Sequence, residues 1–167
     1  IGLAMSFADE VQHTLFPEEV VGLIPEAVGN TALARWESDG DLYARAIEVC
    51  NEALAGQVLA GILWHQGEAD AGAMERASTY CDRLTCMLKT LREVLRAPEV
   101  PVVVGELGHF QMKREKPNLC HLVNEQLQLV ARTAPRTACA SAEGLTDNGD
   151  MVHFDSRSLR EFGNRYA

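Results

Sequence analysis

Asp150-x-x-His153 is a carboxylate and an imidazole separated by two residues in a polar loop. A serine nucleophile needs a base of this kind. The carboxylate holds the ring in one tautomer and stabilises the imidazolium once the proton has moved. A solvated loop Asp beside a His near a helix start has the same spelling, so the pair alone leaves both readings open. A second group is Trp64-His65-Gln66-Gly67-Glu68-Ala69-Asp70. The Gln66 amide can donate to an oxyanion. Gly67 allows a tight turn where a strand ends. Glu68 is an acid that can orient a histidine or touch substrate. A loop in which Glu68 and Asp70 cap the next helix fits the same residues. A third group is Gly29-Asn30-Thr31, small residues whose backbone N–H groups can reach an anion; a plain tight turn explains them as well. Trp36 nearby fits either a sugar pocket or the core.

These groups must be carried by elements that bring them together. Val20 to Pro25 is a β-branched run closed by proline and predicts a buried strand. Asp41 to Ala55 has apolar residues at helical spacing, with Gly56 as the stop. Gln57 to Trp64 predicts a second strand, and Ala73 to Leu95 one long amphipathic helix. Val100 to Leu107 is almost continuously apolar and predicts a third strand. Leu119 to Ala131 reads as a helix with Leu122, Gln126 and Leu129 or Val130 in register. Thr137 to Ala142 predicts a small-residue strand. Asp155 is the expected N-cap of a last helix with Leu159, Phe162 and Tyr166 on one face. Lys113 to Pro117 is a polar connection. Strands alternating with helices imply βαβ units and a mostly parallel sheet covered on both faces. Ligands then sit beyond the carboxyl ends of the strands, where all three polar groups fall together with Gly108-His109-Phe110, which follows the third strand.

The chain has 167 residues, enough for a single domain with its own core. Its net charge of −9 argues against a nucleic-acid or anionic-membrane surface. The apolar stretches fall short of the ~20 residues of a membrane helix. The five cysteines, Cys50, Cys81, Cys86, Cys120 and Cys139, form no C-x-x-C pair and are expected as buried free thiols. They lean towards a reducing compartment without establishing one. No helical H-E-x-x-H pair occurs, and no phosphate-binding glycine motif. Neither a metal nor another cofactor is expected.

Taken in order, the blocks Gly22-Leu23-Ile24-Pro25, Val28-Gly29-Asn30-Thr31 and Trp36, then Leu63 to Asp70, then Asp150 to Asp155 and Phe162 to Ala167, resemble the SGNH-type carbohydrate esterases. The sialate O-acetylesterase and acetylxylan esterase-like branch is the nearest. The resemblance implies a flavodoxin-like, three-layer α/β/α fold and a metal-free serine esterase that removes acetyl groups from sugars. It implies that His153 and Asp150 belong to the triad, that Gln66 lies in or beside the oxyanion hole, and that Glu68 is a helper or alternative acid partner of the histidine. Gly29 and Asn30 stand where the family reads G-G-T. One glycine is lost there and a backbone N–H is kept.

The family's G-Q-S-N-like nucleophile block has no counterpart in this chain. Ser6 lies in a helix-like segment, and Ser38, Ser78, Ser141, Ser156 and Ser158 lack the context. The expectation is that residues 1–167 form one N-terminally incomplete domain that begins after the nucleophile, without the first, central strand of the 2-1-3-4-5 order. The partner is then an acetylated carbohydrate or another small acetyl ester. A catalytically inactive carbohydrate-binding remnant of the same fold is the alternative.

Overall fold

The structure is a computed structural model that describes residues 2–114 and 118–167. Six α-helices and three short strands alternate along it: α1 Leu3–Thr14, α2 Asp41–Ala53, β1 Ile62–Trp64, α3 Met74–Ser78, α4 Tyr80–Val94, β2 Val102–Gly105, α5 Cys120–Thr133, β3 Thr137–Ala140 and α6 Ser156–Tyr166. The strands form one parallel sheet in the order β1-β2-β3. Ile62 pairs with Val102, and Val102 with Thr137.

Strand alternation sends successive side chains to opposite faces. Ile62, Trp64, Val102 and Val104 face a core with Leu84, Leu88, Val123 and Leu127 of α4 and α5. Leu63, Val103 and Ala140 face the other core, with Phe154, Phe162 and Tyr166 and with Leu3 and Phe7 of α1. The result is the expected sheet between two helical layers. Tyr80 and Phe162 are among the largest side chains fully buried, one in each core.

Several expectations are corrected. Val20 to Pro25 is not a strand but irregular chain, with Val20 almost fully exposed. No described strand lies beyond the outer edge of β1, so this run has no ladder to join, and a β-branched run without a partner strand gains nothing from extension. The predicted strand at 57–64 contracts to its last three residues, and those at 100–107 and 137–142 to four each. The single helix at 73–95 breaks at Thr79, whose hydroxyl bonds back to the Glu75 carbonyl at 2.8 Å. In α5 the buried face is Cys120, Val123, Leu127 and Val130, while Leu122, Gln126 and Leu129 flank it. Of the thiols only Cys81 and Cys120 are fully buried; Cys86 is exposed. Within the polar connection, Lys113 ends a short 3-10 turn from His109, and residues 115–117 lie outside the described residues. No helix among the described residues is long and apolar enough to cross a membrane.

Candidate active site

The loop from Asp147 to Asp155 is built by its own carboxylates. Asp147 accepts from the N–H groups of Gly149 and Met151, at 3.0 and 2.7 Å. An antiparallel bridge joins Asp147 to Phe154 and closes the loop at its base. Met151 takes a φ of 57°, a left-handed value that costs a side-chain-bearing residue roughly 1 kcal/mol. Asp155 then caps α6, accepting from the Ser158 N–H at 2.7 Å and from the Thr146 hydroxyl. The cap expected from sequence is present.

At the loop's tip, Asp150 Oδ2 and His153 Nδ1 are 2.6 Å apart. Asp150 Oδ1 accepts from the backbone N–H groups of Val152 and His153, each at 2.8 Å. These bonds favour the carboxylate and hold Asp150 down at about 2; the His153 N–H contributes most, then the His153 ring, then the Val152 N–H. An ionised Asp150 fixes the proton on Nδ1. Nε2 of His153 is then a lone-pair site with no partner among the described residues, and the side chain is 75% exposed. No serine hydroxyl among the described residues bonds to it: Ser6 and Ser78 donate to carbonyls within their helices, Ser141 to Glu106, and Ser158 pairs with Thr146.

Beneath this loop lie Gln111, which the sequence does not single out, and Phe110, expected from sequence at the carboxyl end of the third strand. Gln111, buried in the turn after β2, donates to the Val152 carbonyl at 3.1 Å, next to His153. Phe110 packs edge-on against Phe154 with centroids 5.1 Å apart. Gln111 belongs to no periodic pattern, so it had no signal in the sequence. Glu106, at the end of β2, is buried yet its acidity is raised: burial pushes its pKa up, but bonds from Gln128, the Ala142 N–H, Ser141 and His109 outweigh that. It locks the β2 end to the β3 end.

The Trp64–Asp70 block lies at the C-terminal end of β1. His65 packs against Phe154 and Phe162, with centroids 5.8 and 5.4 Å apart, so the block and the Asp150–His153 loop are neighbours. The Tyr166 hydroxyl donates to the Trp64 carbonyl at 3.1 Å and accepts from His65 Nδ1 at 3.2 Å. Burial pushes the His65 pKa down, against the opposing pull of Glu68. Glu68 is 39% exposed, 4.0 Å from His65 Nε2, and makes no hydrogen bond to His153. Gly67 has φ +152°, and a Cβ there would press into Val123 and Leu107, so the turn requires glycine.

Gln66 is fully engaged. Its amide donates to the Thr31 carbonyl and to Asp70 Oδ2, both at 2.9 Å, and its Oε1 accepts from the Tyr80 hydroxyl at 2.8 Å. To donate to a substrate oxygen it must release Thr31. Gly29 and Asn30 form an exposed turn in which Asn30 holds a φ of 58°, tolerable for asparagine. The Asn30 N–H has no backbone or side-chain acceptor among the described residues. Trp36 is core: it donates to Thr31 Oγ1 at 3.0 Å and packs edge-on against Trp64. The structure thus joins Gln66 to the 29–31 turn and Asp150 to His153, and it sets Glu68 beside His65. Among the described residues no three His, Cys, Asp or Glu side chains gather as a metal cluster.

A parallel sheet between two helical layers, with a carboxylate-held imidazole on a loop at its C-terminal edge, defines a layered α/β protein whose polar side chains gather where such sheets bind ligands. Residues 1–167 match the family model described as carbohydrate esterase, sialic acid-specific acetylesterase, and the chain belongs to that family. It is 28% identical to a probable carbohydrate esterase of Arabidopsis thaliana over 98% of its length. An X-ray structure of a protein from Arabidopsis thaliana superposes with a TM-score of 0.88 at 26% identity, covering 99% of this chain and 66% of that one. A carbohydrate acetylesterase from Xanthomonas citri has the same fold, with a TM-score of 0.81 at 22% identity over 99% of this chain and 39% of that one. The chain spans 60% of the length of the curated plant relative.

Proposed function

We propose that this chain carries the acid–base half of a carbohydrate O-acetyl esterase, with the serine nucleophile supplied from outside these residues. The observation that carries the reading is the 2.6 Å Asp150–His153 pair with its exposed Nε2. His153 takes the proton from the serine hydroxyl as the oxygen attacks the acetyl carbonyl. The carbonyl electron pair moves onto oxygen, where the Asn30 N–H, the backbone at Gly29 and the Gln66 amide stabilise it. The carbonyl re-forms as the bond between the acetyl carbon and the sugar oxygen breaks, and the leaving alcohol takes the proton from His153. Water then attacks the acyl-serine by the same proton route and acetate leaves. Asp150 orients the imidazole and supports its cationic form. Glu68 acts beside it through His65 rather than as the main acid partner. The substrate is an acetylated carbohydrate or another small acetyl ester.

Acetate release by the complete protein from acetylated xylan and O-acetylated sialic acid tests this. His153→Ala should lower kcat by about 10³-fold or more. A wild-type rate in that variant sinks the mechanism. The inactive-remnant reading draws on Asn30 in place of a glycine and on the serine contacts above. Acetylated-sugar binding with no acetate release by the complete protein would favour it.

A further inference from the structure

Asp70 is fully buried, at the start of the 3-10 turn Asp70–Gly72, and joins three separate segments. Its Oδ2 accepts from the Leu33 N–H at 2.8 Å and from Gln66 Nε2 at 2.9 Å. Its Oδ1 accepts from Arg83 at 3.2 Å, and Arg83 also holds Glu37 at 2.6 Å. A glutamine amide has nearly the same shape after a half-turn, but the turn exchanges donor for acceptor. An ionised carboxylate only accepts, so Asp70 admits only the Nε2 end. The Tyr80 hydroxyl, on the far side, meets the Oε1 end that is left. With one Nε2 hydrogen held by Asp70, the other points at the Thr31 carbonyl. The same carboxylate holds that loop in place through Leu33.

We propose that Asp70 is a positioning residue for the oxyanion site: it sets the donor end of Gln66 towards the 29–31 turn and fixes that turn at the right distance. This rests on the acetylesterase reading above. Two contacts support a role beyond packing. Through one oxygen Asp70 binds Gln66 and the Leu33 N–H, two residues beyond the 29–31 turn. Its other oxygen is served separately by Arg83, so the structural and positioning parts can be cut independently.

The experiment compares Asp70→Asn and Arg83→Met in the complete protein. Asp70→Asn keeps the shape but leaves one acceptor oxygen, for which Arg83 competes with Gln66 and Leu33, so the end of Gln66 that faces residue 70 is no longer fixed. It should lower kcat by about 10²-fold, the size of one lost oxyanion donor, with KM within about threefold. Arg83→Met breaks the Oδ1 contact and the Glu37 ion pair and leaves the two Oδ2 bonds; it should lower Tm and leave kcat within about threefold. NMR of the Gln66 side-chain amide supplies the second readout. In the wild type its two Nε2 protons should be separately resolved and slow to exchange, and in Asp70→Asn exchange should speed up. An Asp70→Asn enzyme with lowered Tm, wild-type kcat and an unchanged Gln66 amide overturns the proposal. If wild-type protein releases no acetate, the acetylesterase reading fails; Gln66 exchange then decides whether Asp70 still orients the amide. If Asp70→Asn does not fold, the wild-type spectrum decides alone: fast-exchanging, averaged Gln66 protons overturn the proposal, and slow, resolved ones support it.

Discussion

Asp150 shows how two bonds from the backbone and one from a ring can set the chemistry of an exposed carboxylate. Its folded value of about 2 lies below the ordinary 3.8. The group therefore favours the folded loop above pH 3.8, and that contribution fades as pH falls through about 2. A carbon-detected NMR titration of Asp150 should find a midpoint near 2 in the wild type. In His153→Ala the midpoint should rise but stay below 3.8, because the backbone N–H groups at 152 and 153 remain; a full return to 3.8 would show that the ring alone holds it. Gln111 gives a second prediction. Gln111→Leu leaves the Val152 carbonyl without its donor and the Cys120 thiol without its acceptor. Stability should fall by about 1–3 kcal/mol in a denaturant titration. The Asp150 midpoint should also drift upward as the loop loosens. An unchanged midpoint would mean that the loop holds itself.

At the scale of elements, the helices and sheet meet through small residues placed where backbones come close. A Cβ at Gly163 of α6 would overlap the Leu3 carbonyl and the Ser6 hydroxyl of α1. One at Gly105, at the end of β2, would overlap the Tyr166 phenol that reaches back to β1. Gly163→Ala should cost about 1–3 kcal/mol by overpacking. Thermal unfolding should drop by about 2–4 °C per kcal/mol, while the Asp150–His153 pair, at the other end of α6, keeps its titration. Gly105→Ala should do more than destabilise. It displaces Tyr166 from His65 and from Trp64, so it should raise the His65 pKa by opening the ring to water, as histidine proton shifts would report. The element that closes the sheet and the block that carries Gln66 are tied through this one phenol.

At the scale of the whole molecule, one edge of the sheet is open among the described residues. β1 pairs with β2 on one edge only among the described residues, and its three residues are half-buried. Val20 and Val58 are 96% and 87% exposed. An open parallel edge flanked by apolar surface is a template for association. Residues 1–167 produced alone should therefore self-associate as concentration rises, which sedimentation velocity would read as a growing weight-average mass. A monomer across the micromolar range with one sharp melting transition would refute this.

Much of the site was legible in the sequence because its parts are local. Asp150 and His153 lie within one turn of chain, and Asp155, two residues on, caps the helix that follows, so short-range geometry dictates both. The alternation of strand and helix, and the parallel order from 62 to 140, followed from apolar periodicity. Where periodicity met context, it failed. Val20 to Pro25 has strand-like residues but no ladder to join, and strand pairing is a property of neighbours rather than of one segment. Thr79 broke a helix whose apolar stripe ran straight through. Gln66 and Asp70 are four residues apart, but Tyr80 joins them from 14 residues beyond Gln66 and Thr31 from 35 before it, and Gln111 meets Val152 across 41. No spacing rule reaches across such gaps. The residue types and local turns settled which chemistry the chain can offer. Only the tertiary structure decided which donor meets which acceptor, because a buried polar group must find its partner wherever the packed fold has put one.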